Sequence, residues 1–336
     1  MFELKEASDQ LMFLRQFRLV FLLKAARELN LGNLIGKEFT PVKTIARSEG
    51  LCPDKLNRLV NALVSFGFFE VEDQGVRHSQ VSETLKSDSD TTLLSVIDFA
   101  TDPAVISAWE NLAEGIKKPD VSSFELANKI SALDYFSDES SRLSVFQNAM
   151  QESMAVCKPA LSEITINPGD QVTDCGGGDG SLIRLFLDRH PDIQGQILEV
   201  PSVVKAYADS MVSLKNIRWI ATDLLTSDLP GSDVFIFNRI FHEWNRSDCL
   251  SLLERAKKAL NPGGRIYIID FFQQDHDSPL RKRLQGIKDI EMMVMSGQGE
   301  ERKLSELKAI AADAGLHMNT CHPWDDVHSV AEFVSL

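Results

Sequence analysis

The chain has 336 residues, with 35 Lys and Arg against 49 Asp and Glu, a net charge of −14. Its length suggests two domains at roughly 150 residues each, and 43% apolar with 25% charged residues is a globular composition that excludes disorder. The acidic balance argues against general phosphate neutralisation on nucleic acid and against docking on an anionic membrane.

Met1 to Gln10 is acidic and lacks the basic-then-apolar order of a secretion signal. Leu11 to Leu29 reads as one long helix, apolar on most sides. Arg15, Arg18 and Lys24 rule it out as a membrane span. A helix that apolar must be buried, in a core or against another subunit. Thr40-Pro41 reads as an N-cap with proline at the first helical position, opening a short helix that carries Val42, Ile45 and Ala46 and stops at Gly50. A second helix from about Pro53 to Phe66 carries Leu56, Leu59, Val60 and Leu63 at helical spacing. Phe68 to Val71 and Val76 to Val81 read as strands around Asp73-Gln74-Gly75.

Helix, helix and hairpin make a winged helix. Its second helix offers Lys55, Asn57, Arg58 and Asn61, the residue types of a DNA reader. The overall charge and the apolar preceding helix favour a structural winged helix used for dimerisation. The expected domains are 1–100, the winged-helix unit; 101–165, a helical connector; and 166–336.

In the last of these, strands and helices alternate. Gln171–Cys175, Gln196–Val200, Ile217–Thr222, Asp233–Asn238 and Arg265–Phe272 read as strands, Ser181–His190 and Ser247–Leu260 as helices, and Asn261 to Gly264 as a turn. That order predicts an α/β fold, a Rossmann-like doubly wound sheet with ligands at the carboxyl ends of its strands. The five cysteines, Cys52, Cys157, Cys175, Cys249 and Cys321, form no CxxC pair. This fits reduced thiols in a cytoplasm and gives no metal cluster.

Asp174-Cys175-Gly176-Gly177-Gly178-Asp179-Gly180 joins a strand to a helix. It lacks both the dinucleotide spacing and the Lys-Ser/Thr of a phosphate loop, and its acids suit a ligand with positive charge and hydroxyls. The plainer reading is a tight turn. Glu199 ends the second strand, where a carboxylate can accept two ribose hydroxyls. Asp223 ends the third, where it can accept from an adenine amine. Each acid alone is also a plausible strand cap; together they describe an adenosine pocket.

The ordered segments VTDCGGGDG, ILEVPSVV, IATDLL, FNRIFHEW and NPGGRIYIIDF resemble the class I S-adenosylmethionine-dependent O-methyltransferases of the plant caffeate and hydroxyindole type, a pattern shared by bacterial polyketide and phenazine methyltransferases. The resemblance covers nearly the whole chain, since those enzymes carry an N-terminal winged-helix dimerisation domain. It implies S-adenosyl-L-methionine as cofactor, a homodimer and a small aromatic acceptor. Gly176, Gly178, Glu199, Asp223, Leu224 and Arg239 would hold the cofactor. His242 would be the general base, oriented by Asp270 and Glu301. Phe146, Asn148, Met150, Glu243, Met292, Met295 and Ser296 would line the acceptor. Glu243 stands where the family has aspartate, Asp270 where glutamate is usual, and Asn238 where many members have lysine.

The chemistry agrees with that role. A phenol of pKa about 10 is protonated at neutral pH, and an imidazole near 6.5 can remove the proton as attack proceeds. Such a base needs no metal, and none is expected. Two other functions remain open on sequence: a relative that uses S-adenosylmethionine for non-methylating chemistry or for transfer to carbon or nitrogen, and a winged-helix regulator with a ligand-sensing domain.

Overall fold

The computed structural model describes residues 6–73, 75–157, 160–207, 216–274, 277–325 and 327–335. Contacts divide the chain into two compact units, Met1–Ile106 with Asn148–Val156, and Ser107–Gln147 with Cys157–Leu336. None of the described helices is long and apolar enough to cross a membrane.

The first unit is built on helices Val42–Ser48 and Pro53–Ser65 and strands β1 (Thr40–Pro41), β2 (Phe69–Glu72) and β3 (Gly75–His78). The strands form an antiparallel sheet in the order β1-β3-β2. Thr40-Pro41 is a short strand paired with Val76 and Gly75, and the expected helix starts one residue later, at Val42, with Pro41 in the N-cap place. Gln74, in the expected hairpin turn, lies outside the described residues. Val42, Ile45, Leu56, Val60, Leu63, Phe69 and Val76 share one core, so the apolar spacing of the two helices is spent on closing the wing over them.

The expected helix over 11–29 is two helices, Ala7–Gln16 and Leu19–Glu28. At the break the Arg18 N–H bonds the Arg15 carbonyl at 3.4 Å, and the Arg18 guanidinium folds over the Phe17 ring at 4.7 Å. Only the second helix feeds the core, through Ala26. Leu11, Met12, Phe13, Leu14 and Phe17 keep half or more of their surface exposed. Of the two expected ways to bury this helix, in a core or against another subunit, the core of one chain does not take its first half.

The second unit carries strands β4 (Gln171–Cys175), β5 (Gln194–Glu199), β6 (Ile217–Ala221), β7 (Ser232–Asn238), β8 (Leu260–Asp270), β9 (Leu316–Pro323) and β10 (Ser329–Ser335). They form one sheet in the order β6-β5-β4-β7-β8-β10-β9. The first five are mutually parallel; β10 runs antiparallel to β8 and β9. β4 lies in the middle of the five parallel strands, and the chain winds first to one side of it and then to the other. The switch point falls between β4 and β7, the crevice where such sheets bind ligands. Val234 to Phe237 are fully buried, the continuous apolar run of a strand covered on both faces.

Two details depart from the sequence reading. The Asn261–Gly264 turn lies inside β8: Ser232 pairs with Leu260 and Val234 with Arg265, so the intervening residues loop out as an irregularity. The β9–β10 hairpin was not expected at all. Its strand Val330–Phe333 is buried but contains Glu332, which breaks the apolar run. That carboxylate is satisfied by Tyr267 Oη at 3.1 Å, Arg265 Nε at 3.1 Å and Asn319 Nδ2 at 2.6 Å.

Candidate active site

The carboxyl ends of β4, β5, β7 and β8 meet at the switch point and carry the glycine loop, Glu199, the His242 turn and Asp270. In the loop, Gly176 and Gly178 have φ of +71° and +56°, values that L side chains rarely adopt. A Cβ on Gly176 would lie 2.3 Å from Ile240 Cδ1, and one on Gly178 would lie 2.7 Å from Gln147 Oε1. The positive φ of both residues is what favours glycine here. Gln147, buried against Gly178, is a neighbour the sequence reading missed between Phe146 and Asn148.

Glu199 reaches back to this loop. Its Oε1 accepts from the Gly178 N–H at 3.0 Å and its Oε2 from the Val200 N–H at 2.8 Å. Burial pushes the carboxyl up to about 7, against the pull of those two bonds, and the charge of Glu243 adds to the rise. Asp174 sits beneath the loop. Burial, then the charges of Glu199 and Asp179, push it up to about 7 as well. Its Oδ2 finds no hydrogen-bond partner among the described residues.

The other expected cofactor residues differ in setting. Leu224 is buried, with Cδ1 3.9 Å from where a Gly176 Cβ would stand. Asp223 is exposed and caps its own turn: Oδ1 accepts from the Leu225 N–H at 2.9 Å and Oδ2 from Thr226 Oγ1 at 2.8 Å. These bonds hold its carboxyl below the usual range. Arg239 has φ +58°, and its N–H bonds the Ile269 carbonyl at 2.8 Å; this bend carries the chain off β7 toward the histidine.

His242 lies in the 3₁₀ turn Phe241–Glu243 and is 9% exposed. Its Nδ1 is 3.1 Å from Asp270 Oδ1 and shares a 3.2 Å hydrogen bond with Glu301 Oε1. Both contacts fall on Nδ1, which leaves Nε2 for a ligand. Burial lowers the imidazole's pKa, but Asp270 and Glu301, helped by Glu243, outweigh it and raise it to about 9. Asp270 is pushed up to about 7 by burial and by Glu301, with His242 pulling the other way. Oε2 of Glu301 lacks a hydrogen-bond partner among the described residues. One ligand atom from each of the three residues lies within 4.8 Å of the others. A cation there would compete for the atoms that hold the imidazole.

Glu301 is fixed by its N–H to Asp289 Oδ1 at 2.9 Å. Its neighbour Glu300 instead pairs with Arg302 at 2.9 Å, so the two adjacent acids have separate tasks. Sequence reasoning also missed Arg302, whose only signal was its place beside Glu301.

The expected acceptor residues fall in both units. Met292 and Met295 are half-buried near the end of helix Pro279–Met295. Ser296 follows; its Oγ donates to the Met292 carbonyl at 2.9 Å and accepts from the Gly299 N–H at 3.0 Å. Phe146 stacks on Phe136 with ring centroids 5.4 Å apart. Asn148 and Met150 belong to the first unit. Glu243 is reached by solvent yet crowded by protein. That crowding raises its carboxyl, while His242 and Arg239 pull it down.

Fold and site together define a Rossmann-like methyltransferase. The family model for the O-methyltransferase domain matches residues 109–317. The chain belongs to that family and is an S-adenosylmethionine-dependent O-methyltransferase. Among curated relatives, strychnine O-methyltransferase of Strychnos nux-vomica is 25% identical over 320 residues, covering 88% of this chain and 86% of the relative. The structure of human N-acetylserotonin methyltransferase in complex with S-adenosylmethionine superposes with a TM-score of 0.87 at 21% identity, covering 100% of this chain and 99% of that one. An O-methyltransferase from neocarzinostatin biosynthesis, in complex with the cofactor and 2-hydroxy-5-methyl naphthoic acid, gives a TM-score of 0.75 at 22% identity, covering 95% and 96%.

The residues present fit the cofactor. Its sulfonium and ammonium groups are cations, and the switch point offers Asp174 with an unpartnered buried oxygen and Glu199 with a carboxyl raised to about 7. A nearby cation lowers such carboxyls. Glu199 and the loop backbone would hold it, with Leu224 against its apolar side.

Proposed function

We propose that this enzyme methylates a hydroxyl of a small aromatic acceptor, with His242 as general base. The observation that carries the reading is the buried imidazole, its Nδ1 held between Asp270 and Glu301, two residues after Ile240, which packs against Gly176. S-adenosylmethionine, when bound, supplies an electrophilic methyl group on sulfur. The acceptor's O–H gives its proton to His242 Nε2 as the oxygen takes the methyl. Asp270 and Glu301 fix the ring by its other nitrogen and stabilise the imidazolium. Met292 and Met295, with Phe146, supply the polarizable surface that a flat ring packs against. The names of the strychnine and N-acetylserotonin relatives and the naphthoic acid in the neocarzinostatin enzyme favour an aromatic acceptor. Methyl-labelled cofactor incubated with hydroxyindoles, hydroxynaphthoic acids and flavonoid phenols should yield a labelled methyl ether. Label found only on carbon or nitrogen, or transferred to none of them, overturns the proposal.

The pH dependence follows from the raised imidazole. Only the neutral form accepts a proton, and the folded group stays protonated up to about 9. Turnover should therefore climb with pH. The bound sulfonium lowers this limb, so with saturating cofactor it should fall between histidine's ordinary value of about 6.5 and about 9. A profile already flat above pH 6 contradicts the assignment.

The enzyme is expected to be a homodimer through its N-terminal helices. Leu11, Met12, Phe13, Leu14, Phe17 and Phe21 are 42–64% exposed. Full burial of such a side chain contributes about 1.5–3 kcal/mol, so covering the exposed half on two copies yields on the order of 10 kcal/mol. That is comparable with the roughly 4–15 kcal/mol lost in association. Light scattering should find a dimer at micromolar concentration; a monomer there refutes it.

A further inference from the structure

The turn that carries His242 is gripped at three backbone carbonyls. Arg302, 4% exposed, sends Nη1 to the Phe241 carbonyl at 2.5 Å and Nη2 to the Trp244 carbonyl. Cys249, fully buried, directs its thiol to the same two oxygens at 3.4 and 3.7 Å. The Glu300 N–H takes the His242 carbonyl at 2.8 Å. Gly299 lets this segment come close: a Cβ there would stand 2.5 Å from the His242 carbonyl oxygen and 3.2 Å from Glu243 Cα.

A buried guanidinium is costly unless its charge is met. Here Glu300 meets it at 2.9 Å on the Nη2 side, and the two carbonyls face the terminal nitrogens. A planar fork suits two acceptors a fixed distance apart, which a lysine ammonium cannot match. Arg302 directly follows Glu301. One dipeptide therefore holds the imidazole ring through Glu301 and the backbone beneath it through Arg302.

We propose that Arg302 is a positioning residue for the base, assisted by Cys249: it spans the ends of the 3₁₀ turn and sets where His242 Nε2 points. The inference rests on the reading of His242 as base. Arg302 touches neither the ring nitrogens nor the glycine loop, so its loss should leave cofactor binding intact and reach the chemistry only through His242. Misplacing a reacting group by about 1 Å costs on the order of 10²-fold in rate.

The test uses full-length R302M, R302K, C249A and H242A, with the phenol of the panel above that is methylated fastest. R302M should lower kcat by about 10²-fold, with KM and Kd for S-adenosylmethionine within a few-fold of the parent. R302K keeps the charge but loses the fork, and should fall between them; C249A should lose a few-fold. In the H242A background, R302M should add no further loss. The imidazole NMR signal that disappears in H242A should shift in R302M and R302K.

A merely structural Arg302 would weaken cofactor binding along with turnover and would slow H242A by the same factor as the parent; either result overturns the proposal. Should R302M not fold, R302K and C249A carry the test, and parental kcat with an unshifted imidazole signal in both refutes it. Near-parental turnover of H242A alone would instead sink the base assignment, so the two failures are distinguishable.

Discussion

His242→Ala should lower kcat by about 10²–10⁴-fold, the usual cost of removing a general base, while calorimetry finds S-adenosylmethionine binding within a few-fold of the parent. The separation is expected because the imidazole hangs from the turn after β7 and makes its contacts with Asp270 and Glu301. The groups that on our reading face the cofactor are a different set: Gly178, bonded to Glu199 at 3.0 Å, and Asp174 beneath the loop. Raising the pH should partly rescue the variant, since more of the phenol is then already ionised. Glu301→Gln should slow turnover less. It keeps an acceptor for Nδ1 and removes a charge that raises the imidazole's pKa, so its pH limb should move down. Turnover by His242→Ala near the parental rate would mean that the acceptor binds as an anion or that the reaction is not transfer to oxygen.

The parts of this structure that the sequence exposed are those where one residue type has one physical use. Gly176 and Gly178 sit at positive φ beside Ile240 and Gln147, a conformation that favours glycine, so the glycine run was readable as a tight strand-to-helix loop. The apolar run of β7 was readable for the same reason. The β9–β10 hairpin was not, because Glu332 interrupts its apolar strand. Of its partners, Asn319 comes from the facing strand of the hairpin, but Tyr267 and Arg265 come from distant β8. The break at Phe17–Arg18 was hidden because apolar residues on most sides give little phase to lose. Asp223 shows the converse. As a strand-end acid it was readable, but the structure commits both its oxygens to its own turn, a local use that competes with any ligand. Arg302 and Cys249 were invisible because their partners are backbone carbonyls, which leave no mark in a sequence.

Glu199→Ala should weaken S-adenosylmethionine binding by more than tenfold, measured by calorimetry. On our reading the carboxylate accepts the ribose hydroxyls. A hydrogen bond to a charged group contributes about 1.5–3 kcal/mol, and each 1.4 kcal/mol is tenfold in affinity. The alanine also strips the acceptor from the Gly178 and Val200 N–H groups, loosening the loop that the glycines shape. Glu199→Gln separates the two effects: its amide oxygen still accepts, so the loop stays held and only the charge is lost. It should bind more weakly than the parent and more tightly than the alanine variant. The parent's affinity should also rise with pH. Glu199 and Asp174 are each raised to about 7 in the free enzyme, and a cationic ligand favours their ionised forms, so binding strengthens as the pH rises toward about 7 and levels off above it. Glu199→Gln should flatten that slope without abolishing it, because Asp174 still titrates; an unchanged slope and unchanged affinity together would remove Glu199 from the cofactor site.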